Sequence, residues 1–435
     1  MNNADWLARS LAAVWHPCTQ MKQHETLPLL PIKRAAGAWL YDYDGHRCLD
    51  AVSSWWVNLF GHCNPRINAA IVEQLGQLEH VMLAGFTHRP AIELAERLAA
   101  LTGLGHAFFG SDGASATEIA LKMSFHYWRN RGQPEKSGFL SLANGYHGET
   151  LGALGVTDIA LFRDTYAPLL RHHAQLPSPD WRLAPAGTSA REWAHHCADL
   201  AAQQLQAVHR QIAAIIVEPL VQGAVGMAMY HPDYLSRLRA LCDHYQIHLI
   251  ADEIAVGFGR TGSLFACEQA NIQADLLCLS KGLTGGYLPL SAVLCRDDIY
   301  QAFYSDDLRR GFLHSHSYTG NALACTAALA VLDIFATEGV LERNRSTASR
   351  LNDLLQPAQA HPRARHWRQT GMIWAFDVPD ARPGFAGRCF TRALERGVLV
   401  RPIGNTVYFM PPYILEDHEL QLLADCALSL LDEVA

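Results

Sequence analysis

Two side chains in this sequence could do carbonyl chemistry together. Lys281 ends the apolar run in "LLCLSKGLTGGYLPL" (276–290), and no acid neighbours it. A lysine buried at a strand end loses solvation, so its pKa falls and its neutral amine can form a Schiff base with a carbonyl. The competing reading is a lysine that snorkels to the surface, and position alone favours it. Asp252 shifts that balance. It follows "IHLIA", at the end of another apolar run. A pyridine-based electron sink needs a fixed carboxylate to keep its ring nitrogen protonated. An isolated acid at a strand end is more often structural; the pair is what argues for chemistry.

A phosphate on such a cofactor needs a cradle. "FGSDGASATE" (109–118) offers a tight turn with Gly113 and small residues where a helix begins, and helix-initial N–H groups bind anions. An ordinary cap by Ser111 or Asp112 explains the segment equally well. Ser317 in "HSHSYTGN" adds a hydroxyl donor. His314 and His316 read as packing or polar-network residues, because two histidines without a third ligand are poor evidence for metal, and none is expected. "NGYHG" sets Tyr146 where glycines let the backbone approach a ligand, although a turn with a buried tyrosine is the usual meaning. Trp55 and Trp56 adjoin in "SSWWVNLFG"; in an extended segment they would face opposite ways, one into the core. "GFGRTG" (257–262) has dinucleotide-motif spacing. However, "DEIAV" separates it from the strand and no helix pattern follows, so it reads as a loop that carries Arg260.

The elements that must position these residues are legible from the apolar runs. Segments 106–110, 138–144, 212–219, 247–253, 275–280 and 290–295 are apolar without polar alternation, and helical patterns separate the earlier ones. That predicts an α/β fold with a mostly parallel sheet covered on both faces, whose ligands sit beyond the strands' carboxyl ends. The pattern changes after about 340. "GAWLYDYDGHRCLDA" (37–51) reads as a hairpin turning at Asp44-Gly45. The predicted division is 1–60 and 336–435 as a smaller α+β domain built from both chain ends, with 61–335 as the large domain. The Pro- and Ala-rich segment 178–193 reads as a surface excursion.

Bulk properties set limits. A chain of 435 residues exceeds one growing core. Net charge is −7, with 35 basic and 42 acidic side chains and no basic cluster, which argues against a nucleic-acid groove. No apolar stretch is long enough to span a membrane, and the first residues do not read as a secretion signal. Eleven cysteines without a C-x-x-C pair predict reduced thiols and a cytoplasmic address.

Taken together, "LIADEIAVGFGRTG", "LSKGLTGG", "NGYHGETLGA" and "HSHSYTGN" resemble the class III pyridoxal-phosphate aminotransferases. More narrowly, "WHPCTQM", "DAVSSWWVNLFGH", "EPLVQGAVGMAMYHP" and "VYFMPPY" resemble the biotin-pathway branch, which moves an amino group from S-adenosylmethionine to 8-amino-7-oxononanoate. The resemblance implies the PLP-dependent transferase fold (fold type I) and a homodimer with active sites at the interface. It implies pyridoxal 5'-phosphate on Lys281 as an imine, with Asp252 facing the pyridine nitrogen. Gly113, Ala114 and, across the dimer interface, Ser317 with His316 would hold the phosphate. Tyr146 would stack on one ring face and Ile254 on the other. Trp55, Trp56, Ser315, Arg260 and Cys18 would line the substrate pocket, and Arg401 would pair with the acceptor's carboxylate. Two segments depart from the family pattern: Cys18 stands where a tyrosine contacts both substrates, and Ser315-His316-Ser317 replaces Gly-Pro-Thr. Alternatives left open are an ω-amino acid transaminase acting on 4-aminobutyrate or ornithine, lysine as donor, a 1,2-aminomutase, and a cofactor-binding protein without turnover.

Overall fold

Apolar runs of four to six residues become strands here because their β-branched and aliphatic side chains pack on both faces of a pleated sheet. In the computed structural model the described residues are 1–27 and 29–433. The chain divides into two units, Met1–Pro65 with Arg343–Ala435, and Arg66–Glu342.

The Arg66–Glu342 unit is built on a seven-stranded sheet. Its strands are β4 (His106–Gly110), β5 (Gly138–Leu142), β6 (Ala174–Leu176), β7 (Ile212–Val217), β10 (His248–Asp252), β11 (Leu276–Leu279) and β12 (Ser291–Cys295). A small ribbon pairs β8 (Val221–Gln222) with β9 (Ala228–Met229). The sheet order is β4-β12-β11-β10-β7-β5-β6. The pairs β11–β10, β10–β7, β7–β5 and β5–β6 are parallel. β12 runs antiparallel to both β11 and β4. The sheet is thus mostly parallel, with one reversed strand. The apolar sequence "LSAVLC" hides that reversal because a strand buried on both faces looks alike in either direction. β4 therefore ends at the same edge as β5, β7, β10 and β11.

The Gly113–Asn130 helix lies on this sheet. Its Ile119, Ala120 and Met123 pack with Ile216, Ile250, Cys278 and Val293 in one buried cluster. Fully burying a side chain of this size contributes roughly 1.5–3 kcal/mol. His248 is buried between Tyr127 and Trp128, stacked on the latter's ring at 4.8 Å, and its Nδ1 meets the Ser124 hydroxyl at 2.9 Å.

The segment 178–193 is not a plain surface excursion. Ser178 and Asp180 are buried; the Ser178 hydroxyl donates to Gln222, and Asp180 holds Arg182, which also reaches the Val225 carbonyl. A polar "SPDW" turn can be buried because its own side chains satisfy its hydrogen bonds.

The other unit pairs β1 (Ile32–Ala36), β2 (Trp39–Asp42) and β3 (Arg47–Asp50) with β15 (Val398–Leu399). A second sheet joins β13 (Arg365–Thr370), β14 (Ile373–Asp377) and β16 (Thr406–Phe409). The β2–β3 connection turns at Asp44-Gly45, with Gly45 at φ +94°, and Asp42 Oδ1 accepts from the amides of Asp44 and His46. The Asp417–Glu433 helix closes the chain. Nine of the eleven cysteines are buried, and Cys18 and Cys63 are exposed.

Candidate active site

Strand register brings the chemistry-bearing residues to one edge. Asp252 is the last residue of β10 and pairs with Cys278 of β11; Lys281 lies just beyond the end of β11. Ala251 pairs with Val217, so Glu218, the next residue after β7, exits beside Asp252. The loop after β5 carries Tyr146, and the helix that follows β4 opens at Gly113. This is the ligand edge of an open parallel sheet.

Lys281 opens a short 3₁₀ turn at φ +43°, a backbone that a non-glycine residue adopts at a cost and that recurs at functional sites. Burial lowers its pKa below the usual lysine value, and the charges of Asp252 and Glu218 partly oppose that shift. The lysine therefore lies within electrostatic reach of the carboxylate expected to act with it.

Asp252 is buried and held from two sides. Its Oδ1 accepts from the Ile254 amide at 3.1 Å, and its Oδ2 meets His147 Nδ1 at 2.7 Å. His147 is itself fixed: its amide donates to the Thr157 hydroxyl and its carbonyl accepts from that of Thr117. Its buried Nε2 has no hydrogen-bond partner among the described residues. Glu218 accepts from the amides of Tyr146 and Gly223, and burial pushes its pKa up to about 7. Neither His147 nor Glu218 was anticipated. The available signals were "YHG", where Tyr146 drew the attention, and an acid at a strand exit in "IIVEP", the same signature that singled out Asp252.

At the helix start Asp112 is the N-cap, and its carboxylate accepts from the Ser115 amide at 2.8 Å. The amides of Gly113 and Ala114 precede that bond and have no carbonyl within the helix to receive them. The surroundings press close. A Cβ on Gly113 would lie 3.0 Å from Ile254 Cγ2, and one on Gly148 would lie 2.7 Å from the Ala114 Cβ. Ile254 and the loop bearing Tyr146 thus border the cradle directly. The Tyr146 hydroxyl donates to Glu149 and its ring tilts against Phe162.

His316 reaches this turn within its own chain: its Nδ1 is 3.0 Å from the Ser111 hydroxyl. His314 Nε2 is 3.3 Å from His316 Nε2, and Lys122 Nζ is 2.8 Å from His314 Nδ1. The two histidines form a polar network. Ser315 and Ser317 are exposed, and the Ser317 carbonyl faces His80. Arg260 is almost wholly buried, so its guanidinium does not line an open surface in this chain.

The remaining candidates belong to the other unit. Trp55 is 42% exposed, and the Arg401 guanidinium sits over its ring at 4.8 Å. Trp56 turns the opposite way, into the core, and its indole N–H donates to the Tyr408 hydroxyl at 3.1 Å. One tryptophan is core, although the segment is a tight turn rather than a strand. Cys18, Trp55 and Arg401 line one open cleft of about 1410 Å³, together with His16, His24 and Phe390.

A buried carboxylate beside a lysine of lowered pKa, with two helix-initial amides nearby, matches the needs of a phosphorylated pyridine aldehyde. Lys281 would attach the aldehyde carbon, Asp252 would face the ring nitrogen, and Gly113 with Ala114 would hold the phosphate.

Comparisons with known proteins agree. The profile of the family "Aminotransferase class-III" matches residues 20–429. The adenosylmethionine-8-amino-7-oxononanoate aminotransferase of Helicobacter pylori is 44% identical over 98% of both chains. The protein of the same name from Synechococcus elongatus is 41% identical over 97% of this chain and 99% of its own. The crystal structure of that aminotransferase from Methanocaldococcus jannaschii superposes with a TM-score of 0.93 at 33% identity, covering 99% of each chain. An amine transaminase from an uncultivated Pseudomonas species, in its PLP-bound form, gives 0.92 at 33% identity over 97% of this chain and 99% of its own. The chain belongs to the class III aminotransferases, enzymes of fold type I that work with pyridoxal phosphate.

Proposed function

We propose that this enzyme transfers the amino group of S-adenosylmethionine to the ketone of 8-amino-7-oxononanoate in a ping-pong reaction, giving 7,8-diaminononanoate for biotin. The adjacency of Lys281 and Asp252 at neighbouring strand exits carries the amino-transfer reading. The names of relatives at 44% and 41% identity over nearly their full length support the substrate pair.

Bound pyridoxal phosphate supplies an electron-withdrawing ring and a carbonyl that takes up an amino group and returns it. The protein does the rest. Lys281 Nζ anchors the cofactor, and once released it moves a proton to and from the substrate's amine-bearing carbon, a general acid–base role typically worth ~10² to 10⁴ in rate. Its lowered pKa lets the amine accept that proton nearer neutrality. Asp252 keeps the ring nitrogen protonated, and His147 holds the carboxylate in place. Gly113 and Ala114 would hold the phosphate, with Ser317 supplied across the interface of a homodimer and His316 bordering the same turn from within the chain. Tyr146 and Ile254 would flank the ring.

Arg401, seated on Trp55, receives the acceptor's carboxylate, and aromatic faces suit both its methylene chain and a sulfonium donor. Trp56 acts from beneath, by fixing the turn that bears Trp55. Cys18 cannot stack on an adenine, which makes lysine the second donor to test. Arg260 and Ser315 are assigned to the substrate pocket by resemblance. No single helix among the described residues is long and apolar enough to cross a membrane. We place the enzyme in the cytoplasm.

A donor panel tests this reading: adenosylmethionine, lysine, 4-aminobutyrate and ornithine, each mixed with holoenzyme while the cofactor band is followed. Bleaching by adenosylmethionine, then recovery on adding the oxononanoate with diamine formed, is expected. Bleaching by 4-aminobutyrate or ornithine alone would overturn it.

A further inference from the structure

The most improbable backbone in this chain is at Ser53-Ser54-Trp55-Trp56. All four residues have positive φ, at 50°, 46°, 73° and 71°. They wind one left-handed turn, with Trp56 N bonded to the Val52 carbonyl at 2.8 Å and Val57 N to that of Ser53 at 3.0 Å. Glycine visits this region singly; four consecutive L-residues do so only where their surroundings over-determine them.

The surroundings are on hand. Asp50 is fully buried, and its carboxylate takes donors from the turn itself: the Ser54 amide at 2.9 Å, the Ser54 hydroxyl at 2.7 Å and the Val52 amide at 3.4 Å. His62 Nε2 completes the set at 3.1 Å, while the Asn58 amide group meets His62 Nδ1 at 3.2 Å. That arrangement leaves His62 Nδ1 an acceptor and Nε2–H the donor to Asp50. The Ser53 hydroxyl donates to the Met410 carbonyl at 2.7 Å, and Met410 N returns a bond to Ala51. "SSWW" and "FMPP", far apart in sequence, are therefore one physical unit. Its exposed product is the Trp55 indole under Arg401.

We propose that Asp50 and His62 are positioning residues for the acceptor's carboxylate: they hold the left-handed turn that sets Trp55 beneath Arg401. The proposal rests on the reading that Arg401 receives that carboxylate. A buried carboxylate collecting turn amides, a turn hydroxyl and an imidazole orients the turn more tightly than neutral bonds would. Uniform stabilisation of the fold would not need Trp55 to project outward.

The test uses holoenzyme labelled with 5-fluorotryptophan, the Trp55 resonance being the one lost in Trp55→Phe. Asp50→Asn turns an amide group toward donors, whereas Ser54→Ala removes a single hydroxyl and keeps the variant folded if the first fails. The Trp55 resonance is expected to shift or broaden in Asp50→Asn, and to a smaller extent in Ser54→Ala. The acceptor KM should rise about tenfold in Asp50→Asn, a larger change than any in the donor half-reaction, because only the acceptor step uses the Arg401 that Trp55 supports. An unmoved Trp55 resonance in either folded variant overturns the proposal, as does an equal loss in both half-reactions. If wild-type enzyme does not aminate the oxononanoate, the substrate reading fails, and the fluorine spectrum still decides the positioning role.

Discussion

His147 Nδ1 lies 2.7 Å from Asp252 Oδ2, tying the loop after β5 to the exit of β10. The bond crosses from the element that carries Tyr146 to the carboxylate proposed to face the cofactor nitrogen. Losing it would leave a buried carboxylate oxygen short of a donor. His147→Leu should cost about 1–3 kcal/mol of stability in urea unfolding. It should also weaken cofactor retention on dialysis, and His147→Asn should restore part of both.

Lys281→Ala should reduce turnover by at least ~10²-fold, since the variant lacks the amine proposed to move the proton. Borohydride reduction followed by peptide mapping should find cofactor on the Lys281 peptide of the parent enzyme and none in the variant. Normal multiple turnover in Lys281→Ala would remove the mechanism.

Gly148→Ala should disturb the proposed phosphate cradle without touching a charged group. Gly148 has φ +124°, and its new Cβ would meet the Ala114 Cβ at 2.7 Å and Cα at 2.9 Å. About 1–3 kcal/mol of destabilisation is expected from the backbone strain alone. Cofactor affinity, read by equilibrium dialysis, should fall with it.

Arg401→Ala should raise the acceptor KM by about tenfold or more, the worth of one charge-assisted hydrogen bond. The donor half-reaction, followed by stopped-flow absorbance, should be unchanged. Equal damage to both halves would show that Arg401 serves the fold or both substrates.

His248 should give stability a measurable pH slope. Burial pushes its pKa down to about 4, from an ordinary value of 6.5. Between those values the unfolded chain binds a proton that the folded chain refuses, so stability is lost as pH falls from about 6.5 toward 4. The full effect is on the order of 3 kcal/mol. Glu253 has the opposite sign: burial raises its pKa to about 7, so its contribution is lost as pH rises from about 4.5 to 7. Urea unfolding across pH 4.5–7 should show His248→Gln gaining relative to wild type at the acid end, and Glu253→Gln losing its downward slope.

Much of the sheet could be read directly because its strands are short apolar runs. Lys281 and Asp252 stood out because charges at the ends of such runs are costly unless used. His147 escaped notice because a histidine beside a tyrosine carries no signal of its own; only the packing of its loop against the end of β10 gives it a buried carboxylate. Trp55 and Trp56 were separable in principle, yet by the wrong geometry. Alternation along a strand predicted opposite faces, whereas a left-handed turn produces that outcome.

The sequence by itself determined the alternation of apolar runs and helices, the lysine and aspartate that end two of those runs, and the family to which the motifs belong. Those are local properties, written in residue type and spacing. Tertiary structure alone decided that β12 reverses, that Glu218 exits beside Asp252, and that Asp50 clamps the turn under Trp55. Each of these depends on which strands pair and which buried charges find donors, and pairing is settled by residues far apart along the chain.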